Sequence, residues 1–340
     1  YNVEETNHDL TARYSQDFGK ISSNFLVGFN ANNRNRKSVT GYGVGLVIPD
    51  FYNMSNATNQ FAYESNIGRR LWGVYGEAQI GYDDYLFLTG TFRRDQASTF
   101  GSVSTPIIYP SLSLGLVVTD MLDIESNVLS YLKLRASSAQ VGSEPSFGSN
   151  ATYFNQAGAG SGWISGVGFP FQGQTGFTQS NTLGNPDLRP EYAITNEVGA
   201  EMRFFKDRLY ADVTLYDQRS EDLIIAVPVA ASSGFSSSFI NAGSMSNKGV
   251  EIAMNADLVN SDDLKINAGM TFTRNRNEVI KLADGVDVIG LPWGFFGANQ
   301  RLVAGEAYGT LYGDDWLRDD AGNALVDEYG YPVYSSTEVV

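Results

Sequence analysis

The chain has 340 residues and a formal net charge of −15, from 38 acidic against 23 basic side chains, with no cysteine and one histidine, His8. No cysteine means no disulfides or thiolate metal sites, and a single histidine removes most zinc chemistry and any Ser-His-Asp triad spread along the chain. The acidic balance argues against a nucleic-acid partner, which needs a basic footprint.

Glycine (36), phenylalanine (20) and tyrosine (19) are frequent, which favours strands and loops over helices. No apolar run is long enough for a transmembrane helix, but a transmembrane barrel needs only alternate residues to be apolar. The chain opens in polar sequence at Tyr1, without a leader or initiator Met, and is read as an internal piece of a longer protein.

Ten strands are expected in chain order: 9–17, 20–30, 70–81, 85–94, 109–119, 127–137, 193–205, 208–218, 248–259 and 264–275. The clearest is the last pair. Val250, Ile252, Met254, Ala256 and Leu258 alternate with Glu251, Ala253, Asn255 and Asp257. After a polar break, Leu264, Ile266, Ala268, Met270 and Phe272 alternate with Lys265, Asn267, Gly269 and Thr271. Period-2 alternation places each set on its own face of a strand. The same pattern sets Leu112, Leu114, Leu116 and Val118 apart from Ser111, Ser113 and Gly115, and Leu132, Leu134 and Ala136 apart from Lys133 and Arg135. It separates Val198, Ala200, Met202 and Phe204 from Glu197, Glu201 and Arg203, and Leu209, Ala211, Val213 and Leu215 from Asp212 and Thr214. None of these apolar-face positions is charged.

The apolar face suits either a sandwich core or lipid. Loop lengths favour lipid. Short turns fall near residues 17–20, 82–84, 121–123, 206–207 and 261–263. Long Gly/Ser/Asn-rich segments fill 31–68, 138–190, 221–247 and 278–340. Short turns at one end and long loops at the other mark an outer-membrane barrel. Aromatics near strand ends (Tyr14, Phe18, Phe25, Phe29, Tyr82, Tyr85, Phe205, Tyr210, Tyr216) are expected to form interfacial girdles.

Several segments carry a resemblance. They are Gly184-Asn185-Pro186-Asp187-Leu188-Arg189-Pro190-Glu191, Phe204-Phe205-Lys206-Asp207-Arg208-Leu209, Asp222-Leu223-Ile224, Asn241-Ala242-Gly243-Ser244-Met245-Ser246-Asn247-Lys248-Gly249 and Asn275-Arg276-Asn277-Glu278-Val279. With Phe92-Arg93-Arg94-Asp95 and Gly305-Glu306-Ala307-Tyr308-Gly309 they occur in an order that resembles the SusC/RagA branch of TonB-dependent outer-membrane transporters. Gln96-Ala97 departs from that pattern.

The resemblance implies an all-β, transmembrane antiparallel barrel segment, about ten strands of a 22-stranded barrel, with short periplasmic turns and long extracellular loops. Residues 1–340 would be one barrel segment, its strands at about 9–275 and a long extracellular loop at 278–340, the plug lying outside this segment. It further implies a Gram-negative outer membrane, TonB-driven import of oligosaccharide or oligopeptide, and a SusD-like surface lipoprotein as partner. A soluble β-rich binding or adhesion module and a passive porin are the alternatives. Read mechanically, Asn185-Pro186-Asp187 is a turn, Leu188-Arg189-Pro190 is kept extended, and Asn247-Lys248-Gly249 is a strand entry where Gly takes positive φ.

Candidate site residues are few. Loop aromatics Trp163, Phe169, Phe171, Phe177, Trp293, Phe295 and Phe296 suit stacking on sugars or gripping peptide side chains; packing of the loops on themselves is the alternative. Asp314, Asp315, Asp319 and Asp320 are a weak calcium candidate, since their spacing fits a polar β-turn better than an EF-hand. No catalytic residue and no cofactor is expected.

Overall fold

The computed structural model describes residues 1–101, 105–161, 164–295 and 298–334. Its ten long strands are β1 Asn2–Phe18, β2 Ile21–Leu46, β3 Ala57–Tyr82, β4 Leu86–Ala97, β5 Ile107–Val117, β6 Leu129–Ser143, β7 Glu191–Phe204, β8 Leu209–Glu221, β9 Ser244–Asn260 and β10 Lys265–Lys281. They form one antiparallel meander in which each strand pairs with the next. Among the described residues, β1 pairs only with β2 and β10 only with β9, so the sheet has two free edges.

The registers put the alternating apolar residues in continuous rows. Leu112 and Leu114 on β5 face the same way as Ala136 on β6, then Val198, Leu215 and Val250 on the next three strands. These side chains are not a sandwich core: Leu112, Val198 and Leu215 are 55%, 53% and 51% exposed. A single curved layer with one wet and one greasy face therefore replaces the two-sheet alternative. Along β3 the apolar run Trp72–Tyr82 covers ~33 Å at ~3.3 Å per residue, and on β7 Val198–Phe204 covers ~20 Å. A strand tilt of about 40° projects the β3 run to the ~25 Å apolar band of an outer-membrane barrel, while the β7 run covers about 15 Å of it.

Four expectations need correction. The segment 31–68 is not a long loop: β2 and β3, 26 residues each, stay paired from Ile21↔Tyr82 to Leu46↔Ala57. Its first part, residues 32–38, is polar on both faces and shows no apolar alternation, and further out Tyr42, Val44 and Leu46 alternate with glycines. Cross-strand contacts hold it: the ion pair Lys37–Glu64 at 2.8 Å and Tyr42 stacked on Phe61 at 4.9 Å join β2 to β3, and Arg34–Glu5 at 3.8 Å joins β2 to β1. Its tip is closed by buried Asn56, whose amide bonds Ile48 and Phe51.

The turn after β5 contains a one-turn helix, Val118–Met121, so Val118 leaves the apolar row. Leu258 is the extra residue of a β-bulge, and Val259 takes its place opposite Ile266. Gly249 lies inside β9 and has no positive φ; Gly243 (φ 84°) makes the left-handed entry. Gly249 is required for another reason: a Cβ there would lie 2.4 Å from the Tyr216 hydroxyl.

Candidate functional site: the polar face and the loops above it

The face opposite the apolar rows is lined by hydrogen-bonded polar groups. Arg135 on β6 lies across Gly199 of β7 and grips Asp212 on β8, with Nη1–Oδ2 and Nη2–Oδ1 both at 2.6 Å and a third bond to Thr214. A Cβ on Gly199 would come within 2.8 Å of the Arg135 Nε, so the glycine is the slot that lets the side chain pass. Arg203 pairs with Glu201 and lies over the Tyr131 ring. Arg93 pairs with Asp95 at 2.7 Å and covers the Tyr75 ring, which itself lies flat over Gly28. Tyr216 crosses Gly249 and donates to Asn275 at 3.1 Å.

Long side chains thus lie along the wall wherever the neighbouring strand offers glycine. This leaves hydrated hollows: one of about 470 Å³ over Thr195, Glu197, Gln218, Asn247, Glu251 and Asn275, another of about 460 Å³ over Gln79, Thr89, Lys133 and Arg135. Tyr210 and Tyr216 belong to this polar face, opposite Asn255 and Gly249, not to an interfacial girdle. Tyr82 and Tyr85 do meet edge-to-face at a short turn, 5.7 Å apart.

All the long connections leave one end of the sheet and are stitched together there. Asn241 donates to the carbonyls of Arg189 and Asp222 and accepts from the Arg189 N–H, at 2.7–2.9 Å. Arg189 pairs with Asp222, and Glu191 caps the Ile224 N–H at 2.6 Å. Leu188 is fully buried behind them. Three sequence motifs separated by tens of residues are therefore one clamp. Arg69 and Thr99 both hold Glu144, closing the top of β3 and β4 against the next loop. The buried apolar clusters lie where the loops meet the loop-side ends of the long strands: Val227, Val279, Leu282, Ile289 and Leu302 in one, Ala97, Phe100 and Ile107 in the other.

The site candidates separate. Trp163 and Phe296 lie outside the described residues, as do the side chains of Trp293 and Phe295. Phe169 packs on Gly176, inside its own hairpin. Phe171 and Phe177 project outward, 48% and 69% exposed. A cavity of about 440 Å³ gathers other rings: Phe147 stacked on Tyr153 at 6.2 Å, Phe154, and Phe239 from the neighbouring loop, beside Ser149 and Asn155. Sequence reasoning passed over Phe147, Tyr153 and Phe154; the Tyr153-Phe154 doublet in a polar loop was the available signal.

Asp319 is taken up by its own turn. Its carboxylate accepts from the Ala321 and Asn323 N–H groups and the Asn323 amide, which hold its pKa below the usual carboxylate value, the Asn323 amide most strongly. Asp315 caps Trp316. Among the described residues, Asp314, Asp315, Asp319 and Asp320 do not converge as a three-ligand metal group.

A family model for the TonB dependent receptor-like β-barrel matches residues 1–337. The chain belongs to the TonB-dependent receptor β-barrel family. It is 32% identical over 242 residues to TonB-dependent receptor P39 of Formosa agariphila, covering 69% of this chain and 21% of that protein. Over 206 residues it is 29% identical to TonB-dependent receptor SusC of Bacteroides thetaiotaomicron, covering 60% of this chain and 20% of the relative. The fold is also that of the RagAB peptide importer in its closed-closed state: TM-score 0.77 at 23% identity, over 98% of this chain and 36% of that one.

The chain spans between 20% and 31% of the length of the curated relatives it matches. As part of a TonB-dependent receptor β-barrel, the sheet is outer-membrane wall. Its apolar face meets lipid, its short turns are periplasmic and its long loops extracellular.

Proposed function

We propose that this chain supplies wall and extracellular loops to a TonB-energised importer of oligosaccharides or oligopeptides. The carrying observation is an asymmetric wall: a hydrated, ion-paired inner face lies beneath loops that all rise from one end and carry outward-facing aromatics. In this reading the lumen is filled by a plug contributed by chain outside these residues, and a SusD-like lipoprotein caps the loops. Cargo meets Phe171, Phe177 and the Phe147–Tyr153–Phe154–Phe239 cavity first, with Trp163 and Phe169 in the same loop as Phe171 and with Trp293, Phe295 and Phe296 in the segment after β10. Flat rings amid Asn, Gln and Gly suit sugar faces or apolar peptide side chains. The RagAB likeness is to a peptide importer, which supports the peptide arm. The wall holds ion pairs that orient and stabilise; no step of bond-making is assigned to any residue.

The test is uptake by cells expressing the full-length protein, with labelled oligosaccharide and oligopeptide pools, in TonB-positive and TonB-null backgrounds. Accumulation that needs both the receptor and TonB supports the reading. Uptake independent of TonB would replace it with a passive pore.

A further inference from the structure

The hydrated hollows of the wall are lined by charged groups, Lys133, Arg135 and Glu197 in one, Glu197 and Glu251 in the other. The loop cavity of about 440 Å³ differs: among the described residues, no charged side chain lines it, in a chain with 38 acids and 23 bases. One lining residue, Ser149, is only 3% exposed. Its N–H donates to the Ser146 carbonyl at 3.1 Å, and its carbonyl accepts from the Asn185 N–H at 2.9 Å. Its hydroxyl makes no hydrogen bond among the described residues. A buried hydroxyl without a partner is unfavourable, and the cavity beside it is where a ligand would supply one.

The Tyr153 hydroxyl and the Asn155 carboxamide, on the same cavity, also make no hydrogen bond among the described residues. The surroundings hold these groups in place. Gly148 takes φ 94°, and a Cβ there would lie 2.9 Å from the Tyr153 ring. Pro145 is fully buried just before the turn, and the Tyr153 carbonyl accepts from the Ser180 N–H at 2.8 Å. Phe147 stacks on Tyr153, and Phe154 and Phe239 add two more rings. Aromatic rings, uncharged lining and free neutral hydrogen-bonding groups thus meet in one preformed cavity.

We infer that this cavity is a charge filter: it takes a neutral sugar unit of an oligosaccharide and rejects sulfated or carboxylated sugars and charged peptide ends. Ser149, Tyr153 and Asn155 are its specificity-determining residues, pairing with sugar hydroxyls while the rings cover the apolar face of the sugar. A charged group entering would exchange water for a lining without a counter-charge, which is costly. A site that hydrogen-bonds hydroxyls also discriminates against a ligand lacking them. The inference rests on the import reading for its two cargo classes and selects the oligosaccharide between them.

The experiment is native mass spectrometry of the full-length protein in detergent. The neutral probes are maltohexaose, cellohexaose, mannohexaose and xylohexaose; the charged ones are hexagalacturonate, a sulfated carrageenan hexasaccharide and a hexapeptide library. At least one neutral probe should be retained on the order of tenfold more tightly than any charged one. Ser149→Ala and Asn155→Ala should each weaken that binding by about five- to tenfold, while Ser65→Ala, out on the β3 extension, should leave it unchanged. Asn155→Lys, at an exposed position, should admit the acidic probes, and it keeps the test decisive if Ser149→Ala fails to fold. Retention of no neutral probe, preference for a charged probe, neutral binding untouched by Ser149→Ala and Asn155→Ala, or no gain of acidic binding in Asn155→Lys would overturn the inference. Binding is read here without TonB. TonB-dependent uptake of acidic or peptide cargo would therefore sink this inference alone, and TonB-independent uptake only the import reading.

Discussion

Arg135 and Asp212 are joined across an intervening strand by two parallel 2.6 Å bonds, and the strand between them carries glycine at the crossing point. The pair shows how this wall keeps charge on its inner face. Arg135 and Tyr216 each lie flat across a glycine and reach a partner two strands away, whereas Arg93 and Arg203 pair with an acid on their own strand.

Asp212→Asn should destabilise the barrel by about 1–2 kcal/mol, between the small value of exposed pairs and the larger cost of breaking buried ones. Gly199→Ala places its Cβ 2.8 Å from the Arg135 Nε and 2.9 Å from the Val213 carbonyl, so it should cost a similar amount. A double-mutant cycle on the heat-induced mobility shift in SDS gels measures the coupling. Additive effects would dissociate the glycine from the ion pair.

Gly249→Val should be worse than Gly199→Ala, because its Cβ meets both the Tyr216 ring and the Arg274 carbonyl backbone. Adding Tyr216→Ala should relieve only the ring clash. Partial recovery of folded yield is the expected result, and full recovery would mean the backbone contact is unimportant.

Asn241→Ala removes three hydrogen bonds that tie the Arg189 and Asp222 segments together. The loss should be roughly 1–3 kcal/mol of local stability, since it also leaves backbone groups unpaired. Hydrogen exchange in 184–191 and 222–243 should rise together while β8 and β9 stay protected. Exchange rising in only one of the two segments would contradict a shared clamp.

Asp319 gives a pH dependence of known sign. Its folded pKa is lowered, so the turn's stabilisation is present above the ordinary carboxylate pKa and is lost as pH falls through the folded value. Exchange at Ala321 and Asn323 should therefore rise only in acid, below the usual carboxylate range. Asp319→Asn should flatten that response. A transition near neutral pH would point to another group.

Much of the wall was legible because one face had to be apolar. The phases of β5 through β10 follow directly from Leu112, Val198, Leu215, Val250 and Phe272. The β2–β3 extension was not legible, since residues such as Asn33, Arg34, Asn35 and Arg36 are polar on both faces and leave no period to read. Glycines were misread in the same way: Gly249 looks like a turn residue in sequence, and only the register reveals Tyr216 lying on it. In the loops, aromatics were visible as composition, but Phe147 and Phe239 meet through folding that no local spacing encodes.

The central claim is the polarity of the wall, and residues 1–340 contain no cysteine to confuse a scan. Single cysteines at Leu112, Val198 and Leu215, and at Glu197, Thr214 and Glu251, would be introduced into the full-length protein in outer membranes. The first set should resist a water-soluble maleimide and be reached by a lipid-borne quencher, and the second should react from water. Water labelling of Leu112→Cys, Val198→Cys and Leu215→Cys, with quenching of the others, would contradict the account.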